Sequence, residues 1–280
     1  MIIKPRISII TVCFNDKQGF IQTAESVLRQ SCKEFEWIVI DGGSTDGSRL
    51  EIEKIDNHID YWVSEPDKGI YNGMNKGIAV ASGEYCLFLN SGDFLCSKKS
   101  IERVKDRLDG TDIIVFDIFS EKKLPFGLKP YHIMPSAITL GSLVNSGICH
   151  QAAFIKTTLL KENNYDESLR ITSDWKFFFE ELIVRESSYK HVGIPFASFD
   201  CTGISSKNDE RNNSEKQSVL ESYFDNSLIN QVKFIAKWDI ALAKTAGYPL
   251  LTEIVRGLIF VDKKIFRNFI AVYKNLRYVD

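Results

Sequence analysis

Three aspartates each follow a run apolar enough to be a strand: Asp41 after "EWIVI", Asp67 after "DYWVSEP" and Asp93 after "YCLFLN". Strands buried on both faces belong to parallel sheets, which present ligand-binding groups just past their carboxyl ends. One such aspartate reads as an ordinary turn or cap residue. Three at successive strand ends read as a set aimed at one pocket. Carboxylates around an oxygen-rich pocket suit a hard divalent cation, Mg2+ or Mn2+, which takes one or two protein carboxylates and completes its shell with phosphate oxygens. A metal held there would neutralise a diphosphate leaving group. The other histidine-bearing stretches do not support a zinc site, because His58, His132 and His191 have no cysteine or acid at ligand spacing.

The elements that must position these acids alternate between strand and helix. "ISIITVCF" is a β-branched apolar run. "DKQGFIQTAESVLRQ" then places Phe20, Ala24, Val27 and Leu28 at helical spacing, with Asn15 or Asp16 as the cap. Strands are expected at "FEWIVID", "DYWV", Tyr85 to Leu89 and "DIIVFDIF", and helices at Ile70 to Ala81 and Lys98 to Leu108. The rhythm predicts an α/β fold with a parallel, doubly wound sheet. Past Ser120 it changes. "KKLPFGLKPYHIMP" reads as edge hairpin strands or a loop over the site, "SDWKFFFEELIVRES" as a helix capped by Ser173, and "YKHVGIPFASFD" as a strand. The polar run "SSKNDERNNSEKQ" predicts a mobile loop, and residues beyond about 217 look all-helical.

Composition narrows the function classes. A chain of 280 residues with 44% hydrophobic and 26% charged residues buries a full core. Its net charge of −2 carries no footprint for general nucleic-acid binding. Six cysteines without any C-x-x-C pair are expected to be reduced and mostly structural, as in a cytosolic protein. No signal peptide and no run of membrane-spanning length is expected. Residues 254–280 carry six Lys or Arg against two acids on an amphipathic pattern, which fits either a helix packed on its own domain or one lying on a membrane surface. The first strand-to-helix turn, "CFNDKQGF", lacks the G-x-G-x-x-G of dinucleotide oxidoreductases, and a P-loop is absent.

Taken together, "PRISIITVCFN", "EWIVIDGGSTDGS", "SEPDKGIYNGMNKGIAVASGEYCLFLNSGD" and "ICHQAAF" with "SDWKFF" resemble the bacterial family 2 glycosyltransferases, over about residues 5 to 205. The likeness is greatest to the branch that builds colanic-acid-like and other surface polysaccharides. It implies the GT-A fold: a Rossmann-like, mostly parallel central sheet flanked by helices, with a glycosyltransferase domain at 1–205 and a C-terminal helical extension at 206–280. It further implies that Thr11, Asn15 and Asp41 line the base and ribose pocket, Asp41 bonding the base. Asp67 and Lys68 would frame the nucleotide and diphosphate, and Lys76 would lie near the donor. "NSGD" stands where the family has a D-x-D-like element, with Asp93 as the metal-binding carboxylate. Asn90 and Gly92 occupy places that are commonly acidic, so metal binding rests on Asp93.

Asp174 matches the family's catalytic base, which takes a proton from the attacking sugar hydroxyl as it displaces the nucleotide in line. His150 and Gln151 match a pair expected near the acceptor or diphosphate. Trp175 reads either as a stacking platform for the acceptor sugar or as core. The expected activity is an inverting, Mn2+- or Mg2+-assisted transfer from a nucleotide-diphospho-sugar, with UDP as the expected nucleotide. The acceptor would be a saccharide or lipid-linked chain in surface polysaccharide biosynthesis, reached from the cytoplasm with peripheral contact at the membrane's inner face. Two alternatives stay open at this level: a non-catalytic nucleotide-sugar-binding protein, and a sugar-nucleotide nucleotidyltransferase, although the glycine-rich, arginine-bearing loop of the latter is missing.

Overall fold

The computed structural model describes residues 5–120, 131–145, 147–199 and 209–234. Among them, nine strands form one sheet: β1 (Ile7–Cys13), β2 (Phe35–Asp41), β3 (Tyr61–Ser64), β4 (Tyr85–Phe88), β5 (Phe94–Leu95), β6 (Ile113–Ser120), β7 (Tyr131–His132), β8 (Ala153–Lys156) and β9 (Tyr189–Phe199). The order across it is β3-β2-β1-β4-β8-β6-β9-β5, with β7 paired to β6 off that path. Helices α1 (Lys17–Leu28), α2 (Ser48–Glu53), α3 (Ile70–Val80), α4 (Ser100–Val104), α6 (Thr157–Glu162) and α7 (Ser173–Phe179) connect these strands; α5 (Leu140–Asn145) and α8 (Asp209–Tyr223) are further helices, and residues 226–234 are helical as well.

The chain divides into two compact units, Met1–Ile138 with Ile148–Glu215, and Thr139–Gly147 with Lys216–Asp280. The first contains the whole sheet. In the second, Leu143, Leu220, Ile229 and Val232 are buried. No helix of the described residues is long and apolar enough to cross a membrane, and residues 254–280 lie outside the described part.

All seven residues of β1 are buried, as its unbroken apolar run requires of a strand covered on both faces. Its neighbours β2 and β4 run parallel to it, and β3 runs parallel to β2. From β1 the chain moves outward through β2 and β3, and α3 then carries it back to β4 on the other side of β1. Strand order therefore reverses between β1 and β4. In open α/β sheets that is where the carboxyl ends part to leave a ligand crevice.

The alternation of strand and helix in the first third is as the sequence predicts. The later part departs from a fully parallel sheet, because β8 runs antiparallel to both β4 and β6. This reversal has a use: the amino-terminal end of β8 lies at the same edge as the carboxyl ends of β4 and β6, and it brings His150 to the crevice. The run expected to be a mobile loop needs correction as well, since from Asp209 onward it is helix α8. An all-polar surface hides a helix from periodicity, but Arg211 bonds Glu215 at 2.9 Å and Gln217 bonds Glu221 at 2.7 Å, both one helical turn apart.

Candidate active site

The turn after β4 is built first. Asn90 to Asp93 closes on an Asp93 N–H to Asn90 carbonyl bond of 2.9 Å, with Gly92 at φ +94, a conformation that favours glycine. Helix α1 locks this turn from below. The Thr23 hydroxyl donates to the carbonyls of Asn90 (3.1 Å) and Asp93 (2.7 Å) and accepts from Gly92 N–H at 3.1 Å. Ser91 Oγ donates to Asp16 Oδ2 at 2.8 Å, so the cap of α1 is tied to the same turn. Asp93 is 4% exposed and Asn90 is 8% exposed.

From Asn90 a chain of polar contacts runs across the edge. Asn90 Nδ2 lies 3.3 Å from His150 Nε2, and His150 Nδ1 lies 2.9 Å from Asp174 Oδ2. Tyr71 donates its single hydroxyl hydrogen between Asp174 Oδ1 at 2.9 Å and the Ile171 carbonyl at 2.6 Å. The chain draws on four separate segments: the turn after β4, the 3-10 turn before β8, the first turn of α7, and α3. Asp174 keeps 19% of its side-chain surface and His150 keeps 15%, so both reach the crevice without being solvated like surface groups.

The electrostatics follow from that geometry. Burial opposes the charge on Asp174, but the His150 hydrogen bond and charge, with help from Tyr71, outweigh it and hold the carboxyl below its usual range. Burial disfavours the His150 cation, while Asp174 and, more weakly, Asp93 favour it and raise the imidazole net. Burial and the Asp174 charge push the Tyr71 hydroxyl well above its ordinary value, so it stays protonated and remains a donor. With Asp174 ionised, His150 Nδ1 carries the hydrogen in their bond, and Nε2 accepts from Asn90 Nδ2 when the imidazole is neutral.

The edge at the carboxyl ends of β1 and β2 is knitted differently. Asp41 is fully buried and accepts from the Ser44 N–H (3.0 Å), the Ser44 hydroxyl (2.5 Å) and the Ser64 hydroxyl (2.6 Å). Thr11 is fully buried too, and its hydroxyl accepts the Trp37 indole N–H at 3.1 Å. Both lie under the pocket and shape it. Asn15 joins the two loops above: its Oδ1 accepts from Thr45 N–H, and its own N–H donates to Ser44 Oγ, each at 2.8 Å. The Asp67 carboxylate fills the gap beside Gly42, where an added Cβ would lie 2.5 Å from its Oδ2, and it accepts from Gly69 N–H at 2.9 Å. Lys76 is paired with Glu65 at 2.7 Å, and Lys68 is exposed beside Arg170. Gln151 is half-buried in the 3-10 turn. Trp175 is 5% exposed and stacked on Phe179 at 5.7 Å, the setting of a core ring rather than a sugar platform.

Sequence reasoning missed three contributors. Tyr71 carried no signal beyond its helical phase. Glu215, inside the polar run, accepts from the N–H groups of Arg170, Ile171 and Thr172 at 3.1, 3.0 and 3.2 Å, which fixes the approach to Asp174. Phe14 is 59% exposed at the carboxyl end of β1, with its ring beside Gly42, and an exposed ring directly after a core strand was the one legible sign.

The residues fit a lightly held divalent cation. Among the described residues no group of three or more His, Cys, Asp or Glu side chains is arranged to hold a metal. Asn90 Oδ1, however, is buried with no hydrogen-bond partner, in the same turn as Asp93. One carboxylate and one amide oxygen leave the rest of an octahedral shell to phosphate oxygens and water.

The glycosyl transferase family 2 model matches residues 8–182. The chain belongs to glycosyltransferase family 2. An uncharacterised glycosyltransferase of Mycobacterium tuberculosis is 32% identical over 215 residues, covering 72% of this chain and 78% of the relative. A PGL/p-HBAD biosynthesis glycosyltransferase of Mycobacterium bovis is 29% identical over 192 residues, covering 62% and 68% of the two chains. Residues 1–349 of S. aureus TarS, solved in complex with UDP-GlcNAc, share the fold at a TM-score of 0.60 and 17% identity, over 81% of this chain and 70% of that one. A Pyrobaculum calidifontis mannosyltransferase solved with GDP-Man and Mn2+ matches at 0.55 and 12% identity, over 98% and 86%. The family 2 chain is thus a sugar transferase with the GT-A fold, not a nucleotidyltransferase or a binding protein.

Proposed function

We propose that this family 2 enzyme transfers a sugar, with inversion, from a nucleotide-diphospho-sugar to a hydroxyl of a saccharide or lipid-linked acceptor, and that Asp174 is the base. One observation carries the reading. A continuous polar chain, Asn90 to His150 to Asp174, joins the turn at the strand-order reversal to a carboxylate that is ionised and still accessible. Asp174 accepts the proton of the attacking hydroxyl. His150 Nδ1–H and the Tyr71 hydroxyl fix its two oxygens, so one orientation of the carboxylate faces the substrate. The exposed Phe14 ring offers a stacking face for the base, over a floor set by Asp41 and Thr11.

Asp93 and Asn90 Oδ1 would hold the divalent cation, which supplies charge neutralisation at the leaving diphosphate when bound. UDP is the proposed nucleotide, supported by the UDP-GlcNAc complex of TarS, while the GDP-Man complex of the mannosyltransferase makes GDP the competitor. The C-terminal extension, residues 206–280, is assigned the peripheral contact: the basic composition of 254–280 suits the anionic inner face of a membrane.

The test is a panel of UDP- and GDP-sugars, scored by thermal shift with and without Mn2+ and then by transfer of labelled sugar. A donor should raise the melting temperature only with metal present, since ligands stabilise the state they bind. Asp174→Asn should abolish transfer and keep nucleotide binding. Transfer that persists in Asp174→Asn would remove the assigned base.

A further inference from the structure

A pocket of about 220 Å³ opens where α3 begins, walled by Lys68, Arg170 and Arg211 and by the backbone of Gly69 to Tyr71. Glu167 in the lining and Glu215 on Arg211 offset part of its charge, and a net positive remains on Lys68 and Arg170. Among the described residues neither Lys68 nor Arg170 has a carboxylate in salt-bridge range, and Arg170 Nη1 is held at 2.9 Å by the Lys68 carbonyl alone. Glu167 lines the same pocket, but its carboxylate is taken by the Asn72 and Asn75 amides at 2.9 Å each. Glu215 pairs with Arg211 and spends its remaining capacity on the backbone of 170–172. The cradle is fitted to the guanidinium: Gly69 sits at φ +127, and a Cβ there would come within 2.9 Å of Arg170 Nη1.

The pocket's position says which substrate it serves. Tyr71 lines it and bonds Asp174 Oδ1, while His150, which leads on to Asn90, holds Oδ2, and none of His150, Asn90 and Asp93 lines the pocket. In an in-line displacement the acceptor approaches away from the leaving group. We propose that the Lys68, Arg170 and Arg211 pocket binds a phosphate carried by the acceptor, next to the hydroxyl that Asp174 deprotonates. This rests on the transferase reading above and reassigns Lys68 from donor to acceptor. Guanidinium and ammonium groups that lack a protein carboxylate suit phosphate oxygens through short, charge-assisted bonds.

The test uses the full chain saturated with UDP and Mn2+, titrated calorimetrically with glucose 1-phosphate and with methyl glucoside. The phosphate probe should bind at least tenfold tighter than the neutral one. Arg170→Gln, an exposed position, should weaken it by roughly tenfold, the worth of one charge-assisted contact. Glu167→Gln should tighten it. UDP affinity should stay the same in both variants. A farnesyl-diphosphate-linked glucose, as a third probe, separates sources: a further gain marks a lipid-linked acceptor, and equal binding marks a phosphorylated saccharide. Equal binding of glucose 1-phosphate and methyl glucoside overturns the proposal. So does loss of UDP binding in step with phosphate binding in Arg170→Gln, which would make the pocket the donor's own. If no nucleotide binds the wild type, the donor reading fails, while glucose 1-phosphate against Arg170→Gln still decides the pocket.

Discussion

Two carboxylates, Asp174 in the first turn of α7 and Asp117 within β6, have the same kinds of partner and different fates. Asp174 holds a histidine and a tyrosine, His150 at 2.9 Å and Tyr71 at 2.9 Å. Asp117 also holds a histidine and a tyrosine, His191 at 2.7 Å and Tyr131 at 2.6 Å, and it takes the Met134 N–H at 3.0 Å as well. In both, burial opposes ionisation and hydrogen bonds overcome it, so both carboxyls lie below their usual range. Access separates them. The Asp117 side chain is 3% exposed and the Asp174 side chain 19%. Asp117 sits at an irregularity in the β6–β9 pairing and pins the returning strand β7, with its oxygens committed to backbone and neighbours. Asp174 has no third strand to hold, and its open side faces the crevice. A set of residue types does not define a site; an uncommitted face does.

The sharpest way to break the comparison is to neutralise each acid in turn. Asp174→Asn should lower transfer by about 10²- to 10⁴-fold, the usual worth of a positioned base, with little change in melting temperature. Asp117→Ala should do the reverse, costing about 2 kcal/mol in a urea titration, because the buried Met134 N–H and the half-buried His191 lose their shared acceptor while the exposed Tyr131 hydroxyl turns to water. A catalytic collapse in a fully folded Asp117→Ala would mean that the two carboxylates have been assigned the wrong way round.

Proton linkage sharpens it further. His150→Gln removes the hydrogen bond and charge that depress Asp174 and leaves burial in place, so the acid limb of the rate profile should move to higher pH; an unmoved limb would show that His150 does not set the base. The Asp117 contribution to stability is present above its unfolded-state pKa. It is lost only as pH falls through the depressed folded value, so wild-type stability should hold through mild acid and decline below the ordinary carboxylate range, while Asp117→Ala should lose that acid-dependent step. The smallest effect is expected at the pocket floor. Thr11→Val should cost about 1 kcal/mol for the unpaired Trp37 indole, read by chemical denaturation, with transfer per folded molecule nearly unchanged.

Apolar runs and helical phases made β1 to β4, α1 and α3 legible, because a strand covered on both faces must be continuously apolar and a packed helix must repeat its contacts; the short α2 (Ser48–Glu53) gave no such phase. The same logic named Asp41, Asp67 and Asp93 as acids after strand-like runs, while Asp174 was named by the family resemblance. It failed where local sequence does not carry the cause. The first turns of α8 are wholly polar and are stabilised by i,i+4 pairs and by Glu215 holding a distant backbone segment, while its buried Val219 and Leu220 come only near its end. Trp175 is apolar enough for either of its two readings, and only the stack on Phe179 separates them.

By itself, then, the sequence determined the family, the parallel half of the sheet and the acids available for chemistry, since these depend on residue type and on spacing within a few turns. Tertiary structure decided which acids are enclosed by their partners and which keeps an accessible face. Fixing a role takes partners far apart in the chain, such as Tyr71 and Asp174 or Arg170 and Lys68, and the free energy of such contacts is set by who is left facing the crevice once the sheet has closed.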